Sequence, residues 1–182
     1  MFGERVSSMR AAMKSARIDG FVQPRNDEFM GEYVPPSDER LAWLTGFTGS
    51  AGLAIVLAET AAVFSDGRYT LQLQAQTDPA IWQRLHIVEN RPERWLADHA
   101  GKDARIGYDP WLMSADAVAK FADAGVTMVP VDNPVDRLWR DRPPPPAAPA
   151  VVHPVAFFRA RGSMQGSAPE TTIAPRSPSH CV

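Results

Sequence analysis

Asp66-Gly67-Arg68-Tyr69 sets an acid and a base on either side of a single glycine, where an apolar run (AAVFS, 61–65) hands over to a helix-forming one. Two kinds of chemistry suit that spacing. In one, Asp66 caps the coming helix and Arg68 pairs with a carboxylate. In the other, Arg68 stands at a strand end and clamps a carboxylate or carbonyl of a ligand with its planar guanidinium fork. Taken alone, the residue types favour the structural reading. Gly46, Gly49 and Gly52 just upstream form GxxGxxG, which is neither the dinucleotide fingerprint nor the GxxxxGK[ST] phosphate loop. Both of those open a helix, whose N-terminus attracts an anion, whereas these glycines lead into the strand-like LAIVLA with no lysine following. They read as scaffold that lets the chain turn and pack closely.

The remaining reactive residues do not assemble into a catalytic set. His86, His99, His153 and His180 have no second histidine or cysteine at metal-ligand spacing. The acidic pairs Asp27-Glu28 and Asp38-Glu39 fall in polar loops, away from any histidine. No GxSxG element or cysteine–histidine pairing marks a nucleophile.

The elements that must position Asp66, Arg68 and Tyr69 follow from the apolar patterning. Phe2, Val6, Met9 and Met13 repeat every three to four residues and predict a core-facing helix from about Gly3 to Arg17. FVQP is a short strand, and the polar stretch RNDEFMGEYVPPSDER is a loop, its Pro35-Pro36 and Ser37 excluding regular structure. RLAWLTG is a helical turn closed by Gly46. LAIVLA (53–58) and AAVFS form a hairpin, Tyr69 to Gln76 a helix, and LHIVEN (85–90) a third apolar strand. Asn90 caps a helix with Pro92 at its first position, closed by Gly101. RIGYD is a strand, Ser114 caps a helix that Gly125 ends, VTMVPV is the last strand and NPVDRLW the last helical turn. The tryptophans Trp43, Trp82, Trp95, Trp111 and Trp139 are expected to pack on the sheet. The fold class is therefore α/β, a mixed sheet of about six strands with helices packed on it.

Composition narrows the functions. The 182 residues are 45% hydrophobic and 22% charged, ordinary for a globular protein, with room for one domain and a tail. A formal net charge of −2 gives no electrostatic case for nucleic acid or an anionic membrane as partner. No apolar stretch approaches the roughly 20 residues of a bilayer span, and the N-terminus lacks a secretory h-region. The single cysteine, Cys181, excludes an internal disulfide and fits a cytoplasmic setting. After Arg142 the composition changes. Residues 143–157 hold a run of four prolines and read as a semi-rigid linker, and 158–182, rich in Ser, Pro, Gly and Arg, as a disordered tail.

EYVPPSDERLAWLTGFTGSAG (32–52), SDGRY (65–69), IGYDP (106–110) and NPVDRLWRDRP (133–143) together resemble the amino-terminal domain of aminopeptidase P, the Xaa-Pro aminopeptidases. The likeness covers about residues 1–157. It implies the α/β fold shared with prolidase and creatinase, here over residues 1–142. In that family a separate carboxy-terminal domain removes the first residue from peptides with proline second, using two metal ions, usually Mn²⁺, to activate water. The amino-terminal domain carries no metal ligands, helps build the dimer and borders the active-site entrance. The resemblance thus implies a chain without cofactor or catalytic residues of its own, inactive alone, meeting proline-containing peptides only in a complete enzyme and with a homodimer as expected partner. It raises Asp66, Arg68 and Tyr69 to candidates for the substrate rim or an interdomain contact. A stand-alone dimerisation or peptide-binding module is the alternative. The resemblance stops near VVHPVAF, and residues from about 158 on are expected to be a frame-shifted or otherwise aberrant ending.

Overall fold

The computed structural model of the protein describes residues 2–149 and 151–152. Six strands form one sheet: β1 (Gly20–Pro24), β2 (Leu53–Leu57), β3 (Ala61–Ser65), β4 (Gln83–His86), β5 (Arg105–Tyr108) and β6 (Thr127–Pro130). Their spatial order is β4-β3-β2-β1-β5-β6. β2 runs antiparallel to both its neighbours, while the β3–β4, β1–β5 and β5–β6 pairs are parallel. Five strands therefore point one way and β2 alone points back. Their five carboxyl ends and the start of β2 lie along one edge of the sheet. The outermost strands, β4 and β6, are four residues each.

Helices cover both faces. One face carries α1 (Phe2–Ser15), α2 (Arg40–Thr45), α3 (Thr70–Gln76) and α6 (Pro134–Leu138); the other carries α4 (Pro92–His99) and α5 (Ala115–Asp123). This is why the central strands read as unbroken apolar runs: alternate residues enter different cores. Phe21, Ala54, Val56, Ala61 and Val63 pack with Val6, Met9, Leu44 and Trp82. Val22, Ile55, Leu57, Ala62 and Phe64 pack with Leu96, Ile106 and Phe121. Burying a Leu, Ile or Phe side chain contributes about 1.5–3 kcal/mol each, so the two cores are the main source of stability.

Two polar networks fix the helices on the sheet. At the carboxyl edge, buried Asn133 donates through Nδ2 to Gln23 Oε1 (3.0 Å) and Asp109 Oδ2 (3.2 Å), and its Oδ1 caps α6 by accepting from Val135 N. Gln23, Asp109 and Asn133 belong to or follow β1, β5 and β6, so one amide ties three adjacent parallel strands. Nearby, Arg40 grips Asp136 with Nε (2.7 Å) and Nη2 (3.2 Å) and reaches Asp38 with Nη1 (3.1 Å). Arg142 bonds the same two carboxylates. Burial works to lower the Arg40 pKa, but the hydrogen bond and charge of Asp136, with the charges of Asp38 and Asp109, outweigh it and raise the pKa.

Several local expectations need correction. The strand expected at 85–90 lies at Gln83–His86, because its parallel register with β3 starts at Ala62↔Gln83 and the chain turns at once, Asn90 N bonding His86 O. Arg91, not Asn90, occupies the cap position of α4, with no side-chain cap bond, and the helix stops at His99 before Gly101. The loop after β1 contains a 3-10 turn, Pro36–Asp38, since proline is acceptable at a first helical position. The helix expected from Tyr69 begins at Thr70, preceded by a 3-10 turn, Gly67–Tyr69. The first helix ends at Ser15, where Arg17 turns to a φ of 57°. Trp111 is 71% exposed instead of packed on the sheet. Pro144 to Pro149 are exposed and without regular secondary structure. The expectations for His153, His180, Cys181 and the tail at 158–182 lie outside the described residues.

Asn133→Ala should cost about 2–4 kcal/mol in chemical denaturation, since it removes a cap and leaves the buried Gln23 and Asp109 oxygens unmatched. Asp132→Ala next to it, whose pair with Arg137 is exposed, should change stability by less than about 0.5 kcal/mol.

Candidate functional site

The carboxyl edge gathers nearly every residue with chemical potential. Where β3 ends, Asp66 accepts a backbone bond from Arg68 N (3.0 Å) and starts the 3-10 turn, as its cap reading requires. The Arg68 guanidinium folds back on the same carboxylate, with Nε to Oδ1 at 3.0 Å and Nη2 to Oδ2 at 2.7 Å. Its side chain stays 67% exposed, leaving Nη1 facing no partner among the described residues. The Arg68 hydrogen bond holds the Asp66 carboxyl below the usual Asp range, and Asp66 in turn raises the Arg68 pKa. The guanidinium carbon also stands 5.2 Å from the centre of the Tyr69 ring.

Tyr69 joins this turn to the glycine loop. Its hydroxyl bonds Ser50 Oγ, a contact that lowers the Tyr69 pKa, and its ring meets Phe47 edge-on at 6.0 Å. The loop is shaped by close approach: a Cβ on Gly49 would lie 2.2 Å from Phe47 Cζ, and one on Gly52 2.7 Å from Phe64 O. Gly46, with φ at 86°, closes α2 as the sequence predicts. The glycines are scaffold, and what they hold in place is the Ser50–Tyr69 contact beside Arg68.

Two further features of this edge have no counterpart in the sequence reading. Asp27 Oδ1 accepts from Phe29 N and Gly31 N, shaping a turn that leaves Phe29 (87%) and Met30 exposed, with Tyr33 (88%) beyond it. Asn26 Nδ2 bonds Leu112 O (2.9 Å), tying this loop to the one carrying Trp111. The second feature is a half-open cavity of about 860 Å³ on the α4–α5 side, lined by the end of β1 and the loop after it, the start of β2, the segment between β4 and α4, the start of α4, and α5 with the residues just before it. Asp66, Arg68 and Tyr69 do not line it; Ser50 does, and its bond to the Tyr69 hydroxyl links the cavity to the Asp66–Tyr69 turn. Among the described residues no group of three or more His, Cys, Asp or Glu side chains is placed to hold a metal ion. Nor is any helix among them long and apolar enough to cross a membrane.

A three-layer α/β unit with one reversed strand, its loops and its polar ties collected at one edge, is the class of domain that these elements define. Residues 5–138 match the creatinase/prolidase N-terminal domain, and the chain belongs to that family. Within it, the chain is 37% identical over 160 residues to aminopeptidase P1 of Lotus japonicus, covering 84% of this chain and 24% of that protein. It is 38% identical over 162 residues to a probable Xaa-Pro aminopeptidase P of Coccidioides posadasii, covering 85% and 26%. Among solved structures, the X-prolyl aminopeptidase of Caenorhabditis elegans, described as a cytosolic enzyme with a di-nuclear active site, superposes with a TM-score of 0.75 at 29% identity. That match covers 85% of this chain and 28% of that one. The N-terminal domain of the peptidase PepQ of Mycobacterium tuberculosis shares the fold, with a TM-score of 0.56 at 23% identity over 74% of this chain and 98% of that one. The chain spans about a quarter of the length of the curated relatives it matches.

Arg68→Ala should move the Asp66 carboxyl titration, followed by ¹³C NMR, upward toward the ordinary Asp value. In the wild type the Asp66–Arg68 pair is complete at neutral pH and is lost as pH falls through the lowered Asp66 pKa. An unchanged midpoint in the variant would mean the pair does not form in solution.

Proposed function

We propose that this chain is the non-catalytic amino-terminal domain of an Xaa-Pro aminopeptidase, forming part of the rim of a peptide site whose metal-binding chemistry lies in another domain. The observation that carries the reading is Arg68: a guanidinium anchored by Asp66, backed by Tyr69 and still two-thirds exposed at the edge where the loops converge. A fork held on one side and open on the other suits a peptide carboxylate or carbonyl, or a carboxylate of an adjoining domain. The likeness to aminopeptidase P supplies the substrate class, peptides with proline second. The donor set of the described residues supports assigning any two-metal, water-activating step to a different part of the enzyme. The cytosolic description of the Caenorhabditis elegans enzyme supports a cytoplasmic location.

A second reading, a stand-alone dimerisation or peptide-binding module, is favoured by Phe29, Tyr33 and Trp111, exposed aromatic side chains on loops at the same edge.

The purified chain, supplied with Mn²⁺ and an Xaa-Pro peptide, should show no turnover and no stoichiometric bound metal. Turnover, or manganese held at defined stoichiometry, would reverse the reading. In a polypeptide that also carries the catalytic domain, Arg68→Ala should raise KM roughly 3- to 10-fold with little change in kcat or Tm, the range for an exposed, screened contact. Light scattering bears on the second reading: a chain that stays monomeric at micromolar concentration argues against a module that dimerises unaided.

A further inference from the structure

The cavity on the α4–α5 side lies where the fold itself opens a crevice. After β1 the chain leaves toward α2 on one face, and after the adjacent parallel strand β5 it leaves toward α5 on the other. Neighbouring parallel strands whose connections diverge leave a gap outside their carboxyl ends, and ligands of open α/β sheets bind in such gaps. The volume of about 860 Å³ is within the range of small-molecule sites.

Its lining has a definite chemical character. Arg25, Arg91 and Lys120 stand against Glu93, and Arg25 is paired with Glu39, so Arg91 and Lys120 leave the walls a net positive charge on a chain whose net charge is negative. Arg25 is nearly nine-tenths buried, its Nη2 on Glu39 (2.9 Å) and its Nη1 on Glu32 O (3.1 Å), so it serves as a fixed wall of the cavity while Arg91 and Lys120 are exposed at its mouth. Behind these groups the walls are apolar, with Val22, Leu53, Ile87, Met113 and Phe121.

The geometry points to a site for a small carboxylate on an apolar body, bound in the switch-point cavity by Arg91 and Lys120 against the wall that Arg25 helps to form. A phosphate fits less well. Dianions are held by clusters of backbone N–H groups at helix starts. Here α4 begins with Pro92, which has no N–H, and the start of α5 is already capped by Ser114 Oγ on Ala117 N. The site is distinct from the Arg68 rim, since Arg68, Asp66 and Tyr69 do not line it, although Ser50 lines the cavity and bonds Tyr69.

The test is an amide-resolved ¹H–¹⁵N NMR titration of the full chain with 4-phenylbutyrate, its neutral isostere 4-phenylbutanamide and inorganic phosphate. The expected result is saturable shifts at Arg25, Leu53, Val88, Glu93 and Ser114 with the carboxylate, and affinity at least about 5-fold weaker for the amide. In Arg91→Ala/Lys120→Ala, which changes two exposed side chains and should keep the wild-type Tm, affinity for 4-phenylbutyrate should fall about 10-fold. Equal binding of acid and amide, phosphate binding as tight as the carboxylate, shifts confined to other regions, or unchanged affinity in the double variant would each overturn the assignment.

Discussion

A single buried amide, that of Asn133, stands at the junction of three strand ends, and the placement of the loops after β1, β5 and β6 depends on it. Asn133 bonds Gln23 and Asp109 while its oxygen starts α6, so β1, β5 and the segment after β6 are held in fixed mutual position. Asp109 uses its other oxygen on Trp111 N, which sets the loop bearing that tryptophan. Gln23 Nε2 bonds Pro24 O, beside the point where Arg25 departs. The geometry of the loops is thus inherited from a polar relay sunk between two apolar cores, where an unmatched group is costly and the arrangement is correspondingly unique. The Arg40 cluster performs a parallel task for α2 and α6. The Arg40 side chain is 3% exposed, and with Arg142 it faces Asp38 and Asp136 in a closed charge group. Such a group specifies one packing of two short helices that have little apolar area of their own.

The reversed strand β2 gives the edge its composition. Because β2 runs against its neighbours, its first residue and the glycine loop before it arrive at the same edge as the ends of β1 and β3. That brings Ser50 within bonding distance of the Tyr69 hydroxyl, although 19 residues separate them. It also divides the edge into two territories. The glycine loop and the Asp66–Tyr69 turn form one, with an exposed guanidinium. The positively lined cavity between α4 and α5 forms the other, and Ser50 is common to both.

The elements were legible in the sequence wherever local signals and burial agreed. The central strands stood out as apolar runs because both faces are covered, and α1 showed its buried Val6, Met9 and Met13 at helical spacing. Asp66 as a cap and Gly46 as a helix stop were also readable, since each rests on local backbone chemistry. The edge strand β4 was misplaced because its residues are only partly buried and its limits come from pairing with β3. At the site, the residue types at 66–69 were legible, but the Arg68–Asp66 pairing within one turn needed the coordinates. The cavity was invisible, since its basic residues Arg25, Arg91 and Lys120 are far apart in sequence and meet only through the sheet order. One clue was available: Gln23, a polar residue inside FVQP, is what a buried relay looks like in a strand.

The outermost strands carry a consequence for assembly. β6 finishes at Pro130, which has no amide hydrogen to offer, and β4 presents Gln83 and the cationic Arg84, over only four residues each. Short borders bearing proline and charge resist docking of a further strand from another molecule. Two copies meeting in solution would therefore not continue the ladder from one chain into the next. They would have to join through side chains on helices or loops, which leaves such an association adjustable by point changes that do not disturb the sheet.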